Sequence, residues 1–347
     1  MRVYHDEDAD LGLLEGRQIG IIGYGNQGRA QALNLRDSNQ RVLVGNPEDI
    51  YAEKAREDGF SVLPIDEAVA QADIVILLIP DEVAPGVFEA QVAPHLAEGN
   101  VLVLASGYNI AFHFIVPPPF VDVVLVAPRM IGAGVRDFYV QGSGFPSFIG
   151  VAQDHSGQAK ALALALAKGI GSTRRAVFEV TFAQEAELDL FGEQCLLPAL
   201  MHVSTTAVDL LLGEGYPPEA VLLELYMSGE LSYVMAKAAE LGLIEQSTLH
   251  SHTCQYGSMS RSVRFSSPEL RTKMLEGLEE VRSGRFAEEW AAEQATGCPT
   301  METLKAAARS FRRCGSWSWS CRRPSRALPA RITSRLTCNR GADIVTQ

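Results

Sequence analysis

The 347-residue chain is short of cations, of patterned cysteines and of long apolar runs, and each shortage excludes something. Lys and Arg number 30 against 42 Asp and Glu, a formal charge of −12, which argues against a protein that holds nucleic acid through its phosphates. The basic charge is also unevenly placed. Residues 309–347 carry nine Arg, no Lys and one acid, Asp343, a net of +8, so residues 1–308 hold −20. Cys195, Cys254, Cys298, Cys314, Cys321 and Cys338 include no Cys-x-x-Cys, which removes the usual zinc and disulfide frameworks and points to free thiols in the cytoplasm. The opening MRVYHDEDAD is acidic where an export signal would be basic and then apolar. No uninterrupted apolar run approaches the length of a bilayer, so no membrane association is expected. At 47% hydrophobic and 21% charged residues, the composition is that of a globular protein of roughly two domains.

What is present begins with a strand-like run, RQIGII at 17–22, leading directly into GYGNQG. Gly23, Gly25 and Gly28 stand in G-x-G-x-x-G spacing, and a helical stretch follows at 30–36. The first glycine makes the tight turn, the second admits a pyrophosphate to the backbone, and the third lets helix and strand pack closely. Gly23, Tyr24, Gly25, Asn26, Gln27 and Gly28 are therefore the candidate cofactor loop. Further strands are expected at 41–45, 73–79, 101–105, 121–127 and 146–151, then a helix at 154–170 and a last strand at 175–180. This alternation predicts an α/β, Rossmann-type, doubly wound parallel sheet with ligands at the carboxyl ends of its strands. Pro80, Asp81 and Gly107 occupy such ends. The loop after the second strand holds Asn46 and, about 20 residues past the glycine motif, Glu48, where a ribose-binding acid is expected. No Lys or Arg follows in that loop before Lys54, so NADH is favoured over NADPH. The other reading is that Glu48 and Asp49 simply open the next helix.

Strand patterns stop near residue 180. Helical periodicity covers 181–212, 217–241 and about 267–308. The expected division is a dinucleotide-binding domain at 1–180, an all-α domain at 181–308 and a basic tail at 309–347. That tail shows no helical or strand period and reads as the product of an altered reading frame. TFAQEAELDLFGEQCLL at 181–197 sets Asp189 and Glu193 four residues apart on one helix face, among Leu188, Leu190, Phe191, Leu196 and Leu197. Two carboxylates so placed repel, and a divalent cation between them would resolve the conflict. A solvated acidic face that includes Glu185 and Glu187 fits the spacing equally well. Glu224 and Glu230 lie on a second, mostly apolar helix. LHSHTCQYGS at 249–258 gathers His250, Ser251, His252, Cys254 and Gln255 around an expected polar loop. His250 and His252 lack a third metal ligand at a known spacing.

Several stretches together resemble the short, bacterial-type ketol-acid reductoisomerases. They are YHDEDADLGLLEGRQIGIIGYGNQGRAQALNLRDS, ILLIPDE, SGYNIAF, VAPR, QDHSGQAKALALALAKGIG, TFAQEAELDLFGEQ, GYPPEAVLLELY and SHTCQYG, which run in order from about residue 4 to about residue 300. The resemblance implies Mg²⁺-dependent alkyl migration in a small acetohydroxy acid, followed by reduction by a nicotinamide. It implies two Mg²⁺ ions, with Asp189 and Glu193 as ligands and further ligands at Glu230 and Glu224. Those two are expected from the partner subunit of a homodimer or higher homo-oligomer. It also places Ser251 at a substrate-contacting serine.

Three departures stand out. Glu224 and Glu230 are six residues apart where the family has a spacing of four. On a regular helix that is about 600°, some 120° from superposition, so both serve only if the helix is distorted, for instance at Gly229. Ser106 stands where the family usually has His, with His113 seven residues on, and Arg129 stands where it has Lys. Arg keeps the charge but presents a planar fork. A metal-independent reductase of a related keto acid or imine, and a non-catalytic dinucleotide-binding protein, are the competing expectations.

Overall fold

The apolar runs of the first half pair side by side. The computed structural model describes residues 2–315, with side chains to 307. Its strands are β1 (Val3–Tyr4), β2 (Gln18–Ile22), β3 (Arg41–Gly45), β4 (Val62–Leu63), β5 (Ile74–Leu77), β6 (Val101–Leu104), β7 (Asp122–Pro128), β8 (Ser147–Gln153) and β9 (Val177–Glu179). They form one sheet in the order β1-β9-β8-β7-β6-β5-β2-β3-β4. Alternate residues of the central strands feed two cores, one on each face. Ile19, Ile21, Ile74, Ile76, Val101 and Val103 point into one, and Ile22, Val75, Leu77, Leu102 and Leu104 into the other. Burial on both sides is why these strands read as continuous Val, Ile and Leu.

The sheet is mixed and not wholly parallel. From β4 to β7 every pairing is parallel, but β8 runs antiparallel to β7, and β1 runs antiparallel to β9. Pro128, the last residue of β7, faces Ser147, the first of β8, so the chain re-enters the sheet at the end it left. The intervening helix Gly132–Gln141 makes no return crossing. It docks on the helix Asn26–Asp37, where the buried Asn34 amide donates to the Val135 and Ile170 carbonyls.

The glycine loop has the geometry its spacing requires. Gly23 has φ +93°, and a β-carbon there would lie 2.8 Å from the Leu78 carbonyl oxygen. A β-carbon on Gly28 would lie 1.9 Å from the Gly23 carbonyl oxygen, whereas one on Gly25 would meet nothing within 4 Å. The open side is thus at the second glycine, where phosphates approach. Tyr24 N–H donates to the buried Asn46 side-chain oxygen, which ties this loop to the end of β3.

From Phe182 on, the described residues contain no strand. The helix Phe182–Phe191 continues through a π turn, Gly192–Leu196, into Leu197–Gly213. Pro198 explains the widened turn, because it has no N–H for the carbonyl four residues back and its ring crowds that carbonyl. This 32-residue run has a mean hydropathy of 1.6 over its most apolar window, none of it buried, so one helix is long and apolar enough to cross a membrane by length and composition. The expectation from uninterrupted runs did not find it, because Gln194, His202, Ser204, Thr205, Thr206 and Asp209 break up the run.

Two expectations are corrected further along the chain. The 249–258 stretch is not a loop. Ser251 caps the helix His252–Ser262, its Oγ accepting from Cys254 N–H. The segment from 309 is helical as far as 315, within the helix Pro299–Gly315, and the rest of the tail lies outside the described residues. Met1–Pro299 form one compact unit and the segment from Thr300 a second.

Gly28→Ala tests the loop. Forcing a methyl against the Gly23 carbonyl should cost about 1–3 kcal/mol of unfolding free energy and weaken binding of a nicotinamide dinucleotide at least about tenfold. NADH titration of a folded variant with unchanged affinity would contradict the assignment of this loop.

Candidate active site

The site assembles where the ends of β6 and β7 meet the first helix beyond the sheet. Thr181 starts that helix with a reciprocal cap: its Oγ accepts from Gln184 N–H, and the Gln184 side chain accepts from Thr181 N–H. This fixes Glu185 one turn in, with its side chain fully buried (0% exposed). Glu185 Oε2 accepts from Gly107 N–H at 2.5 Å, and Glu185 Oε1 from Arg129 Nη2 at 2.9 Å. Gly107 permits the approach, since a β-carbon there would lie 2.2 Å from the Phe182 carbonyl oxygen. Arg129 follows β7 directly. Its Nη1 donates to Asp189 Oδ1 at 3.0 Å, and its guanidinium lies 5.1 Å from the Phe148 ring centroid.

The arrangement is rich in carboxylate and poor in cation. Burial pushes the Glu185 carboxyl up to about 7, against the pull of Arg129 and the Gly107 N–H. Burial likewise raises Asp81 to about 6, helped by Glu82, Asp189 and Glu193, while the Asn109 amide at 3.0 Å lowers it. Glu193 is raised by the partial burial of its carboxyl and then by Asp189. Tyr108 is raised to about 12 by burial and by Asp81. Glu193 has no hydrogen-bond or ion-pair partner among the described residues. Hard oxygen donors are what a divalent cation suits, so Glu193, which has no such partner, fits a metal, and Asp189 fits one through the oxygen that Arg129 does not hold. They do not complete a site. Among the described residues of this single chain, no group of three or more His, Cys, Asp or Glu is gathered as metal ligands.

The remaining candidates fall into two sets. Around the glycine loop, Gln27 Nε2 donates to the Met130 carbonyl at 2.9 Å, and a β-carbon on Gly132 would lie 2.1 Å from the Asn26 carbonyl oxygen. The cofactor loop and the segment after Arg129 are therefore in contact. The Tyr24 ring is buried, with its hydroxyl on Asp58, so Tyr24 has only its backbone to offer a dinucleotide. Pro80 is exposed immediately before Asp81, and Ser106 Oγ accepts from Tyr108 N–H at 3.3 Å. Away from this cluster, His113 is exposed with φ +60°. Ser251, Glu224 and Glu230 are exposed too. Gly229, at φ +82°, breaks the helix between the two Glu: Glu224 lies in the π turn Leu223–Met227, and a new helix starts at Glu230. The distortion that their spacing requires is present, and no described contact joins either to Asp189 or Glu193.

Reading along the chain missed three groups. Glu185 entered only as part of an alternative acidic face, although Glu185, Asp189 and Glu193 recur every four residues and that repeat was its signal. Asn109 gave no signal. It is buried, holds Asp81 and has an unpartnered Oδ1. Arg56 corrects the view that the ribose loop lacks a cation: it reaches back from the helix Ile50–Glu57 to pair with Glu48 through both terminal nitrogens. Asp49 does begin that helix, accepting from Tyr51 and Ala52 N–H.

Residues 13–176 match the family described as acetohydroxy acid isomeroreductase, NADPH-binding domain, and residues 182–315 match the ketol-acid reductoisomerase C-terminal domain. A ketol-acid reductoisomerase (NADP(+)) of Pyrobaculum calidifontis is 43% identical over 311 residues, 89% of this chain and 94% of that protein. The solved NADH-preferring ketol-acid reductoisomerase from an uncultured archaean superposes with a TM-score of 0.85 at 39% identity, covering 90% of this chain and 95% of that one. A semialdehyde dehydrogenase NAD-binding protein from Cupriavidus necator superposes with a TM-score of 0.59 at 19% identity, over 77% of this chain and 99% of that one, and shares the fold alone.

The raised carboxyls give a pH prediction. Glu185 titrates from 4.5 unfolded to about 7 folded, and Asp81 from 3.8 to about 6. Between those values the folded chain binds more protons than the unfolded one, so the two groups make stability fall as pH rises through the window. In EDTA, Glu185→Gln should flatten the decline in melting temperature between about pH 5 and about pH 7.5. An unaltered slope would contradict the burial of an ionisable group at that position.

Proposed function

The chain belongs to the ketol-acid reductoisomerase family, and on that premise we propose how its residues carry out the family's reaction. An acetohydroxy acid, 2-acetolactate or 2-aceto-2-hydroxybutyrate, undergoes alkyl migration, and the resulting ketone is reduced by a nicotinamide to a 2,3-dihydroxy acid of valine and isoleucine biosynthesis. The observation that carries our site assignment is the Arg129–Glu185–Asp189 contact beside the open glycine loop. Asp189 and Glu193 would hold Mg²⁺, and Glu230 and Glu224 of a second copy would supply further ligands for two ions. When bound, Mg²⁺ stabilises the alkoxide formed from the tertiary hydroxyl and polarises the carbonyl that accepts the migrating group. Glu185, its carboxyl raised to about 7 by burial, pairs with Arg129 and holds that guanidinium beside Asp189. Arg129 keeps positive charge at the mouth of the cluster, Ser106 positions the turn that presents Gly107, and Ser251 contacts substrate.

We assign the cofactor as NADH in preference to NADPH. Support comes from Glu48 at the ribose position and from the NADH-preferring structural relative. The division at residue 180 into nucleotide and helical domains is supported by the end of the sheet at Glu179. A homodimer or larger homo-oligomer is supported by exposed Leu197, Met201, Leu210, Leu223, Tyr233 and Met235 on the helical part. Cytoplasmic residence is supported by the free thiols Cys195, Cys254 and Cys298.

Oxidation of NADH and NADPH with 2-acetolactate, with and without Mg²⁺ and beside a simple 2-keto acid, tests these assignments. Turnover should require Mg²⁺ and favour NADH. Asp189→Asn should lower it at least about hundredfold while sparing NADH affinity. Equal turnover by Asp189→Asn would sink the metal assignment, and turnover of the keto acid alone would favour a metal-independent reductase. A monomer in sedimentation of the active preparation would overturn the shared ligands.

A further inference from the structure

We propose that Arg129 is an internal counter-cation that competes with the divalent metal for Asp189, and so sets how much metal the site needs. The inference rests on the reading of Asp189 as a metal ligand. It starts from the inequality of the two arms of Arg129. Nη2 serves Glu185, a fully buried side chain (0% exposed) whose other oxygen is already taken by the Gly107 N–H. Releasing that contact would leave a buried carboxylate without its cation, a costly state. Nη1 serves Asp189, whose side chain is 43% exposed and whose carboxylate can turn to solvent or to an ion. The Asp189 contact is therefore the one that yields.

Two further observations show that the two carboxylates place this guanidinium. Arg129 Nε is buried without a hydrogen-bond partner, so the third donor of the fork is sacrificed to direct the other two. The Phe148 ring then supports the guanidinium from one side at 5.1 Å. An incoming divalent cation at Asp189 meets both an oxygen already accepting a hydrogen bond and a fixed positive charge at hydrogen-bond distance from it. The planar fork is what couples Glu185 to Asp189. A lysine ammonium, a single point on a flexible stem, would rest on Glu185 and leave Asp189 free. Arg129 thus neutralises Asp189 when no metal is bound and gives up that contact when metal arrives. It acts on the metal through Asp189 and is a positioning residue.

The test is direct Mg²⁺ binding by calorimetry on the full chain, comparing the unaltered protein with R129K, R129Q and D189N. R129K should bind Mg²⁺ about fivefold more tightly, about 1 kcal/mol at 1.4 kcal/mol per tenfold, and R129Q should move in the same direction. In EDTA, R129K should melt below the unaltered protein, and its rise in melting temperature on adding Mg²⁺ should be the larger. A purely structural role would lower the melting temperature without tightening metal binding. Mg²⁺ affinity equal to or weaker than that of the unaltered protein in both variants would overturn the proposal while leaving the metal site standing. Absence of Mg²⁺ binding by the unaltered protein, or full affinity in D189N, would remove Asp189 as a ligand and this proposal with it.

Discussion

The structure around the site depends on neutralising one buried carboxylate. Glu185 has no access to water, and its oxygens are satisfied by groups from two other parts of the chain, the Gly107 N–H after β6 and Arg129 after β7. Removing one partner of a buried ion pair costs roughly 3–5 kcal/mol, so these contacts hold the helix Phe182–Phe191 against the carboxyl end of the sheet. Gly107 is the steric counterpart of the same constraint: any side chain there would collide with the Phe182 carbonyl. The position of Asp189 relative to the glycine loop follows from this junction, because Asp189 is one turn beyond Glu185 on a helix that cannot move freely.

Charge then determines what the junction can do. Asp81, Glu185, Asp189 and Glu193 influence one another, and Arg129 is the cation that opposes them. A protein built only for stability would have little reason to keep the carboxyls of Asp81, Glu185 and Glu193 at raised values in one place. A reaction in which negative charge is stabilised by divalent cations and protons are held near neutrality has that reason. The glycine loop meets the segment that follows Arg129 through the Gln27–Met130 contact.

Much of this was legible along the chain, and the parts that were not have physical causes in common. The central strands could be read because burial on both faces leaves unbroken runs such as IVIL, and Gly23, Gly25 and Gly28 because steric demands select glycine at fixed intervals. The spacing of Asp189 and Glu193 placed two carboxylates on one helix face but fitted a solvated acidic face equally well. The direction of β8 could not be read, since it depends on the helix Gly132–Gln141 docking on Asn26–Asp37 and not on any local pattern. Arg56 reaching Glu48 is likewise a contact between a helix and the loop before it, invisible to a reading that looks only within the loop. The 249–258 stretch was expected to be a loop, although a serine followed by residues free to be helical is also a cap, as Ser251 is. Glu185 is the most instructive. On a helical repeat of carboxylates, burial decides which member is structural, and burial is a property of what packs against the helix.

The most direct test of this account is anomalous diffraction from crystals grown with Mn²⁺ in place of Mg²⁺. An anomalous peak is expected within coordination distance of Asp189 and Glu193, with Arg129 still paired to Glu185 and withdrawn from Asp189. A peak away from these two carboxylates, or Arg129 released from Glu185 with the metal in place, would contradict it.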